Sequence, residues 1–540
     1  MSEKSHGLSG VELLHSAAYN KSTAFTEQER DRFGLRGLLP PAVGSMNTQI
    51  TRVLANMRRK ESDIEKYIFL SMLQDRNERL FFRLIMDNFQ ELLPIVYTPT
   101  VGQACREFAN IFRTEKGFYV TARDRGQIRK ILDNWPTRDV RIIVITDGGR
   151  ILGLGDLGAN GMGIPLGKLG LYCACAGIWP EQTLPVMFDV GTDNSELLTD
   201  PIYLGLRQPR LRGEEYFSLM DEFVRAASDA FPGVLIQFED FAADNAFAHL
   251  NTYRDKVLCF NDDIQGTASV VLAGVYASTR FSGIDFRDLK FLFLGAGSAA
   301  TGMGNMIVEA LIREGLDERD ALGRLWFFNR DGLVREGAAN LPDYIRRFAH
   351  PIDDCDLITA IDIHRPDILI GATGTPATFT RQVVRKMAAI KSRPGIFALS
   401  NPTSRAECTA EEAYQWTDGR AIFATGSPFD EVVFNGKALR PGQGNNSYIF
   451  PGVGLGMIVC RARSIPDDIF LEAAKVLSES LSRDDIDHGS VYPRVDKIRR
   501  VSLKIATAVA THAWDNGLAR APRPDDIGRH IENYMYDPTY

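Results

Sequence analysis

The sequence predicts a protein of the α/β class, with a helical N-terminal region, an α/β region and a doubly wound parallel sheet. Three observations support this prediction. Apolar residues recur at helical intervals in the first hundred residues, five short apolar strands follow Gly266, and a glycine-rich turn comes directly after the first of those strands. At 540 residues the chain is long enough for several domains.

In the first 170 residues the pattern of apolar residues changes once, from helical spacing to a strand followed by a glycine-rich segment. From residue 62 to residue 89 the apolar residues keep the spacing of a helix, so the first hundred residues are predicted to be mostly helical. Residues 141–146, RIIVIT, then have the composition of a short buried strand. Nine glycines fall within residues 148–170, where average usage of about 7% predicts about two. This density indicates that the backbone closely approaches other backbone or a ligand.

The doubly wound sheet is predicted from alternating strands and helix-like segments, and the last hundred residues return to helix. The predicted strands lie at residues 290–294, 325–328, 367–370, 396–399 and 421–424. Several of them end in small or polar residues, as in GAG, GATG, SNPT and ATGS. Ligands of open parallel sheets bind at the carboxyl ends of the strands, so these strings are candidate ligand contacts.

Composition excludes several classes of function. Charged residues make up 24% of the chain and apolar residues 44%, as in ordinary globular proteins. A net charge of −7 argues against nucleic acid or an anionic membrane as the main partner. No apolar run approaches the roughly 20 residues of a membrane span, and the N-terminus lacks the features of a signal or transit peptide. Seven scattered cysteines without a C-x-x-C pair predict reduced thiols, and we expect a cytoplasmic protein.

The first strand of the sheet leads into the string GAGSAATG, which predicts a Rossmann-type dinucleotide site. Gly295 permits the tight turn, Gly297 lets the backbone approach a pyrophosphate at a helix N-terminus, and Ala300 is small enough for the third fingerprint position. The expected cofactor-binding residues here are Gly295, Ala296, Gly297, Ser298, Ala299 and Ala300. The alternative is a tight strand–helix turn that binds no ligand.

The tip of the next strand, FFNRD, bears on the choice between NAD and NADP. An acidic residue at this point would hydrogen-bond the ribose hydroxyl of NAD and repel the additional phosphate of NADP. Asn329 removes that repulsion and Arg330 could attract the phosphate, but Asp331 is adjacent. The sequence leaves the choice of nucleotide open.

The string GMGIPLGKL superficially matches a phosphate-binding loop but fails that pattern twice. Met162 stands where the loop requires glycine, and Leu169 stands where a hydroxyl must reach Mg²⁺. A phosphotransferase is therefore excluded. The role of Lys168 has to be explained differently, since a lysine after glycine is most often a surface residue.

Two acidic pairs follow predicted strands, Glu239–Asp240 after VLIQF and Asp262–Asp263 after VLCF. Adjacent strand residues point to opposite faces, so one ion can bind both members of the first pair only if the chain turns there. Carboxylates without histidine or thiolate suit a hard cation such as Mg²⁺ or Mn²⁺. Alternatively, these acids are helix N-caps or solvated strand ends.

Seven strings, in order, resemble motifs of the malic enzyme family. They are IVYTPTVG, GRILGLGDLG, GIPLGKL, FEDF, FNDDIQGT, SNPT and GQGNN, which lie between residues 95 and 446, and the resemblance extends from about residue 20 to residue 515. The resemblance implies oxidation of L-malate at C2 with NAD or NADP, decarboxylation to pyruvate and CO₂, and use of Mg²⁺ or Mn²⁺. It also implies a homodimer or homotetramer. The chain departs from the family pattern at Gly149 and Asn329, where many members carry an acidic residue.

The resemblance assigns roles residue by residue. Lys168 is implied to be the general base and Tyr97 the general acid, and we expect Asp262 to orient the lysine amine. The implied metal ligands are Glu239, Asp240 and Asp263. The implied malate contacts are Arg150, Asn401 and the pair Asn445 and Asn446, without a choice within that pair. Without the motifs, Tyr97 would be interpreted as a core aromatic, Arg150 as part of a surface ion pair and Asn401 as a turn residue.

The chemistry of these side chains fits the implied roles. A base must be partly neutral near pH 7, whereas a lysine in water has a pKa of about 10.4. The apolar residues Ile164, Pro165 and Leu166, together with a nearby dication, favour the neutral amine, and the glycines are expected to let a loop close around a small diacid. Tyr97, with a reference pKa of about 10, stays protonated and can donate to an enolate.

The expected domains are a mostly helical region at 1–115, a catalytic domain for substrate and metal at 116–264, an NAD(P)-binding domain at 265–446 and a helical segment at 447–540 that packs back on the catalytic domain. The sequence leaves two alternative functions open. A malolactic enzyme would convert malate to lactate, but such enzymes carry Tyr-Asp-Pro-Thr where residues 97–100 read YTPT. A non-catalytic nucleotide sensor would be expected to have lost Lys168, Tyr97 or a metal carboxylate.

Overall fold

The computed structural model describes residues 7–338 and 341–540. The chain divides into two compact units. Unit 1 extends to Pro232 and also contains Tyr534–Tyr540, and unit 2 is Gly233–Asn533. The boundary at Pro232 falls inside the segment 116–264 that was expected to form one catalytic domain.

Unit 1 is helical as far as Ile111, as the sequence predicts for the first hundred residues, and strands then alternate with helices. The helices are α1 (Gly10–His15), α2 (Glu27–Arg32), α3 (Met46–Met57), α4 (Asp63–Arg76), α5 (Glu78–Asp87), α6 (Phe89–Val96), α7 (Thr100–Arg106), α8 (Phe108–Ile111), α9 (Ile128–Leu132), α10 (Gly163–Ala176), α11 (Ser195–Thr199) and α12 (Gly213–Ala230). The strands are β1 (Phe118–Thr121), β2 (Ile142–Thr146) and β3 (Thr183–Asp189).

Local sequence explains the main boundaries in unit 1. Ser62 starts α4 with a capping box, because its hydroxyl accepts from the Glu65 amide and the Glu65 carboxylate accepts from the Ser62 amide. The predicted strand at residues 141–146 is observed as β2, all of whose residues are buried. Strand β3 pairs in parallel with β1 on one side and β2 on the other, and this pairing directs the end of β2 toward a glycine-rich loop.

The segment Tyr534–Tyr540 completes unit 1 by packing against its helical part. The Tyr540 hydroxyl donates to the side chain of Gln49 at 2.7 Å and accepts from that of Asn77 at 2.7 Å. The amide of Tyr536 donates to the carbonyl of Gly177 at 2.6 Å, and its ring lies 5.0 Å from Trp179. Residues far apart in sequence therefore close this unit.

Unit 2 contains the predicted strand–helix alternation. The strands are β4 (Leu235–Phe238), β5 (Cys259–Asn261), β6 (Phe291–Leu294), β7 (Leu325–Asn329), β8 (Gly332–Leu333), β9 (Ile368–Gly371), β10 (Gly395–Ala398), β11 (Ile422–Thr425), β12 (Val432–Phe434), β13 (Lys437–Leu439) and β14 (Gly442–Gln443). The helices are α13 (Ala243–Tyr253), α14 (Thr267–Ser282), α15 (Ser298–Arg313), α16 (Glu318–Gly323), α17 (Asp343–Arg346), α18 (Leu357–His364), α19 (Arg381–Ile390), α20 (Ala410–Trp416), α21 (Phe450–Val459), α22 (Asp467–Glu479), α23 (Arg483–Asp487), α24 (Ile498–Asp515) and α25 (Ile527–Tyr534), which ends at the first residue of the closing segment of unit 1.

Seven strands of unit 2 form one sheet in the order β14-β11-β10-β9-β6-β7-β8. All neighbours are parallel except β7 and β8. The chain proceeds from β6 to one side and from β9 to the other, so the order reverses between these two strands. This is the doubly wound topology that the sequence predicts, and ligands of such sheets bind where the order reverses.

Two further expectations concern the whole chain. All seven cysteines are thiols, as predicted, and all except the half-buried Cys355 are buried. Over residues 7–338 and 341–540, we find no helix whose length and apolar character would allow it to cross a membrane.

Candidate active site

Lys168 lies on helix α10, so the expectation of a loop around it is wrong. The glycines of this segment serve close helix packing and not loop closure. A Cβ at Gly163 would lie 2.7 Å from the Cys105 sulfur, and a Cβ at Gly167 would lie 3.1 Å from the Tyr97 ring. Helix α10 can therefore approach α7 and the end of α6 closely because these two positions lack side chains.

The same packing brings Lys168 and Tyr97 together in unit 1. The Lys168 side chain is 1% exposed and Tyr97 is 6% exposed. Lys168 Nζ lies 5.6 Å from the centroid of the Tyr97 ring. Tyr97 ends α6, where its amide donates to the carbonyl of Leu93 and its carbonyl accepts from the amide of Val101. A base and an acid of the types that proton transfer requires thus lie side by side in a buried setting.

Arg150 is exposed on the loop that follows β2. Within this loop the amide of Gly149 donates to the Asp147 carboxylate at 2.8 Å, and the amide of Leu157 donates to the carbonyl of Gly148 at 3.0 Å. The loop is therefore closed on itself by hydrogen bonds, while the guanidinium of Arg150 remains accessible. A planar guanidinium in this position suits a carboxylate ligand.

Sequence reasoning missed Arg210, which fastens both ends of the Arg150 loop. Its guanidinium contacts the Asp147 carboxylate and carbonyl, each at 2.9 Å, and the Asp156 carboxylate at 3.2 Å. The Tyr216 hydroxyl donates to the same Asp147 carboxylate at 2.8 Å. Burial alone would lower the pKa of Arg210, but the charges of Asp147 and Asp156 outweigh burial and leave the pKa raised.

Unit 2 brings together the three carboxylates that were predicted to hold a metal. Ligand atoms of Glu239, Asp240 and Asp263 all lie within 4.8 Å of one another. The chain turns at Asp240, whose φ is 54°, so both members of the Glu239–Asp240 pair reach the same point. The side-chain amide of Gln237 donates to Glu239 at 2.7 Å, and the amide of Asp240 donates to Asp263 at 2.7 Å. An all-carboxylate set of this kind fits Mg²⁺ or Mn²⁺.

Asp262 lies beside the carboxylate cluster, at the start of a π-helical turn over residues 262–266, and is fully buried. A Cβ at Gly266 would lie 1.9 Å from its carboxylate, so glycine is required there. The side-chain amide of Asn446 donates to Asp262 at 3.0 Å, whereas Asn445 caps the following turn by accepting from the amide of Ser447. The structure therefore directs Asn446, and not Asn445, toward the acidic residues.

The predicted dinucleotide turn lies where the sheet order reverses. Gly295 has a φ of 113°, and a Cβ there would lie 2.5 Å from the carbonyl of Ala372 after β9. At Gly297, which caps α15, a Cβ would meet no described atom within 4 Å. Gly295 is therefore explained by packing of the two strand tips, and Gly297 leaves open space above the start of α15. Of the other residues in the turn, Ala300 is buried.

The tip of β7 carries the residues expected to meet the adenosine ribose. The Asn329 side chain accepts from the amide of Asp331 at 2.8 Å, and Arg330 is exposed. The amide oxygen of Asn329 is thus engaged in the turn itself. The positive charge available at this tip belongs to Arg330.

Asn401 follows β10 at the same edge of the sheet. Its side-chain oxygen accepts from the Ser427 hydroxyl at 2.6 Å. A Cβ at Gly426, the residue after β11, would lie 2.3 Å from the carbonyl of Leu399 and 2.8 Å from the Asn401 side-chain nitrogen, so this position has to be glycine. Sequence reasoning missed the neighbouring Glu407, which is fully buried and hydrogen-bonds the tips of β9 and β10.

Each unit thus supplies a different kind of chemistry. Unit 1 holds a buried lysine and tyrosine together with an accessible arginine. Unit 2 holds a carboxylate cluster, an asparagine directed toward it and a nucleotide-type turn. Proton transfer and carboxylate binding are available in the first unit, and cation and dinucleotide binding in the second.

Comparison with known families gives matches along most of the chain. The family description "Malic enzyme, N-terminal domain" matches residues 74–254, and "Malic enzyme, NAD binding domain" matches residues 264–514. Two solved structures are similar in fold. The malic enzyme of Entamoeba histolytica has a TM-score of 0.58 at 22% identity, covering 94% of this chain and 90% of that one. That of Pyrococcus horikoshii has a TM-score of 0.56 at 23% identity, covering 83% of this chain and 89% of that one.

Curated relatives are similar at higher identity. NADP-dependent malic enzyme 1 of Arabidopsis thaliana is 49% identical over 98% of this chain and 92% of its own length. The NADP-dependent malic enzyme of Columba livia is 48% identical over 98% of this chain and 96% of its own length. The NADP-dependent malic enzyme of Homo sapiens is 47% identical over 98% of this chain and 94% of its own length.

Proposed function

Because the chain belongs to the malic enzyme family, we propose that it oxidises L-malate at C2 with NADP or NAD and decarboxylates the product to pyruvate and CO₂, with a divalent metal. The observation that carries this proposal is the buried pair in unit 1, in which Lys168 Nζ lies 5.6 Å from the centroid of the Tyr97 ring. Lys168 is 1% exposed, and burial of this degree favours the neutral amine that a base requires.

In the proposed reaction Lys168 takes the proton of the C2 hydroxyl as hydride leaves C2. After CO₂ has left, Tyr97 donates its phenolic proton to C3 of the enolate, which yields pyruvate. Both proton transfers need short and fixed distances between the side chain and the substrate. The close packing of α10 on the end of α6 holds Lys168 and Tyr97 in place and so supports these roles. Desolvation favours the neutral forms of both side chains, as their roles require.

We propose that Glu239, Asp240 and Asp263 hold the metal. Their mutual separation of at most 4.8 Å and their all-oxygen chemistry support this proposal. When bound, Mg²⁺ or Mn²⁺ supplies Lewis-acid stabilisation of negative charge on the substrate oxygen. The hydrogen bond from Gln237 would keep Glu239 oriented whether or not the cation is bound.

Binding of malate is proposed to depend on Arg150, Asn401 and Asn446. Arg150 offers two parallel donors to one carboxylate, and Asn401 stands at the ligand-binding edge of the sheet. Asn446 is favoured over Asn445 because its side chain lies against Asp262 and that of Asn445 caps a turn. Asp262 is proposed to orient the lysine amine.

For the nucleotide we propose NADP in preference to NAD. The relatives described above are named NADP-dependent. In this chain Asn329 carries no charge to repel a 2′-phosphate, and Arg330 is exposed beside it. Arg330→Ala should therefore lower kcat/KM for NADP more than for NAD, whereas Arg319→Ala, an exposed arginine on α16, should change neither.

Three broader expectations remain proposals. The enzyme is proposed to act in the cytoplasm, where its seven thiols would stay reduced. It is proposed to assemble as a homodimer or homotetramer, which light scattering of the purified protein would test. The division of labour among residues 1–115, 116–264, 265–446 and 447–540 is also proposed.

The first test is absorbance at 340 nm with malate and Mn²⁺, in parallel with NAD and NADP. A rise with either nucleotide is expected, with the larger kcat/KM for NADP. Lactate without net nucleotide reduction would instead support malolactic activity. Tight nucleotide binding without any turnover of malate would support a non-catalytic sensor.

The second test separates the lysine from the metal site. Lys168→Ala should abolish malate oxidation but leave metal-dependent decarboxylation of oxaloacetate partly intact, because that step needs no base at the C2 hydroxyl. Lys130→Ala, an exposed lysine on α9, is the control and should leave both activities unchanged. Equal loss of both activities in Lys168→Ala would refute the base assignment.

A further inference from the structure

Glu407 is a fully buried carboxylate whose hydrogen-bond partners come from two loops of unit 2. One loop, residues 372–375, follows β9, and the other, residues 399–401, follows β10. Burying a carboxylate is costly unless donors surround it. The position of each partner therefore shows what this charge does.

The β9 loop reaches Glu407 through Thr373. The Thr373 amide donates to one carboxylate oxygen at 3.0 Å, and the Thr373 hydroxyl lies 3.1 Å from the same oxygen. A Cβ at Gly371 would lie 2.5 Å from the Glu407 side chain, so the strand end has to be glycine for the carboxylate to approach. The direction of the chain immediately after β9 is thereby fixed.

The β10 loop reaches the same carboxylate through Ser400. Its amide donates to the second oxygen of Glu407 at 3.2 Å, and its hydroxyl donates to the first. The Ser400 hydroxyl also accepts from the amide of Gly374 at 2.9 Å. Glu407 and Ser400 together therefore join the two loops by a continuous set of hydrogen bonds.

Both loops lie at the ligand-binding edge of the sheet. The carbonyl of Ala372, in the β9 loop, packs against Gly295 of the dinucleotide turn. Asn401, in the β10 loop, directly follows Ser400. A shift of one loop relative to the other would displace the floor of the nucleotide site from the proposed malate-binding asparagine.

We infer that Glu407 is a positioning residue that sets the separation between the β9 loop at residues 372–375 and the β10 loop that carries Asn401. This inference rests on the proposed function, because it takes Asn401 to contact malate. Glu407 itself is proposed to touch neither the nucleotide nor malate. Its carboxylate acts as a shared acceptor that holds two donor-bearing loops at one distance.

The test is Glu407→Gln, which keeps the size of the side chain and replaces one acceptor oxygen with an NH₂ group. In either orientation of the amide, that group faces a backbone N–H, so one loop loses its anchor. The KM values for nucleotide and for malate should both rise, each by about tenfold, and kcat should fall. Glu411→Gln, an exposed glutamate on α20, is the matched control and should match wild type in all three.

Binding of NADPH and NADH, measured by the fluorescence of the reduced nicotinamide, separates this inference from the proposed function. A dissociation constant that rises about tenfold in Glu407→Gln supports the inference even if the wild-type protein does not oxidise malate. Unchanged nucleotide binding and unchanged KM values in folded Glu407→Gln would overturn the inference, and malic enzyme activity would stand.

Circular dichroism and the midpoint of thermal unfolding show whether Glu407→Gln folds. If it does not fold, Ser400→Ala is tested instead, because it removes the bridging hydroxyl but keeps the backbone hydrogen bond to Glu407. Ser400→Ala should raise both KM values by a smaller factor than Glu407→Gln. A wild-type KM for nucleotide in Ser400→Ala would then overturn the inference.

Discussion

The loops that carry the proposed malate contacts are fastened differently in the two units. In unit 1 the Arg150 loop is held by a buried cation, Arg210, whose side-chain partners Asp147 and Asp156 are themselves charged. In unit 2 the Asn401 loop is held by a buried anion, Glu407, whose partners are hydroxyls and backbone amides. Removing the central charge therefore has different consequences in the two units. Loss of Arg210 leaves carboxylates without a compensating charge, whereas loss of the Glu407 carboxylate leaves neutral donors without an acceptor.

Arg210→Met should give the largest effect, because it leaves the carboxylate of Asp147, which is 1% exposed, without its cation. Breaking a buried ion pair in this way costs about 3–5 kcal/mol. We expect the midpoint of thermal unfolding to fall by about 5–10 °C and kcat/KM for malate to fall about a hundredfold, with little change in nucleotide affinity. Calorimetry and steady-state kinetics measure these quantities.

The control is Arg212→Met, since the Arg212 side chain is 77% exposed and pairs with Asp193 at the surface. Its effect should stay within about 0.5 kcal/mol. If Arg210→Met also raised the KM for nucleotide, the Arg210 contacts in unit 1 and the Glu407 contacts in unit 2 would not act independently.

The double variant Arg210→Met with Asp147→Asn tests whether charge is the cause. Because the second substitution removes the stranded negative charge, the double variant should be more stable than Arg210→Met alone. A double-mutant cycle should give a coupling of about 1–3 kcal/mol. Strict additivity would show that packing, and not the charge pair, holds the loop.

The single variants Asp147→Asn and Asp156→Asn should differ in size. Asp147 is 1% exposed and accepts from Arg210, Tyr216 and the amide of Gly149, whereas Asp156 is 17% exposed. We expect Asp147→Asn to raise the KM for malate several times more than Asp156→Asn does. Equal effects would mean that the guanidinium holds the two ends of the loop equally.

Tyr216→Phe should give a smaller effect than Arg210→Met, because it removes one hydrogen bond and leaves the Arg210–Asp147 pair in place. A hydrogen bond to a charged group contributes about 1.5–3 kcal/mol, and we expect the lower value here because Arg210 still compensates the carboxylate. The midpoint of thermal unfolding should fall by a few degrees, with kcat/KM for malate reduced less than tenfold. If Tyr216→Phe reduced thermal stability and kcat/KM as much as Arg210→Met does, the loop would depend on the tyrosine hydrogen bond and not on the ion pair.

The sequence predicted those features whose cause is local. The strand that leads into GAGSAATG and the buried strand in RIIVIT each depend on neighbouring residues, and the structure has both strands where the sequence predicts them. The turn that would let Glu239 and Asp240 reach one point is observed at Asp240, where φ is 54°. The fold class follows from the same kind of local evidence.

Other features could not be predicted because their causes lie far along the chain. Arg210 meets Asp147 across 63 residues, and Glu407 meets Thr373 across 34, with no spacing rule to connect them. The choice between Asn445 and Asn446 depends on Asp262, which lies 184 residues before Asn446. The helix around Lys168 was missed because glycines favour loops in isolation, and their role in α10 appears only when Tyr97 and Cys105 pack against them.

The division of the chain also affects the order in which the protein can fold during synthesis. Unit 1 lacks Tyr534–Tyr540 until the whole of Gly233–Asn533 has left the ribosome, which takes about 15–60 s at the usual rates of translation. During that interval the side chains of Gln49 and Asn77 and the carbonyl of Gly177 lack the hydrogen bonds that Tyr540 and Tyr536 later supply. The first unit to be synthesised is therefore the last to gain its full set of contacts.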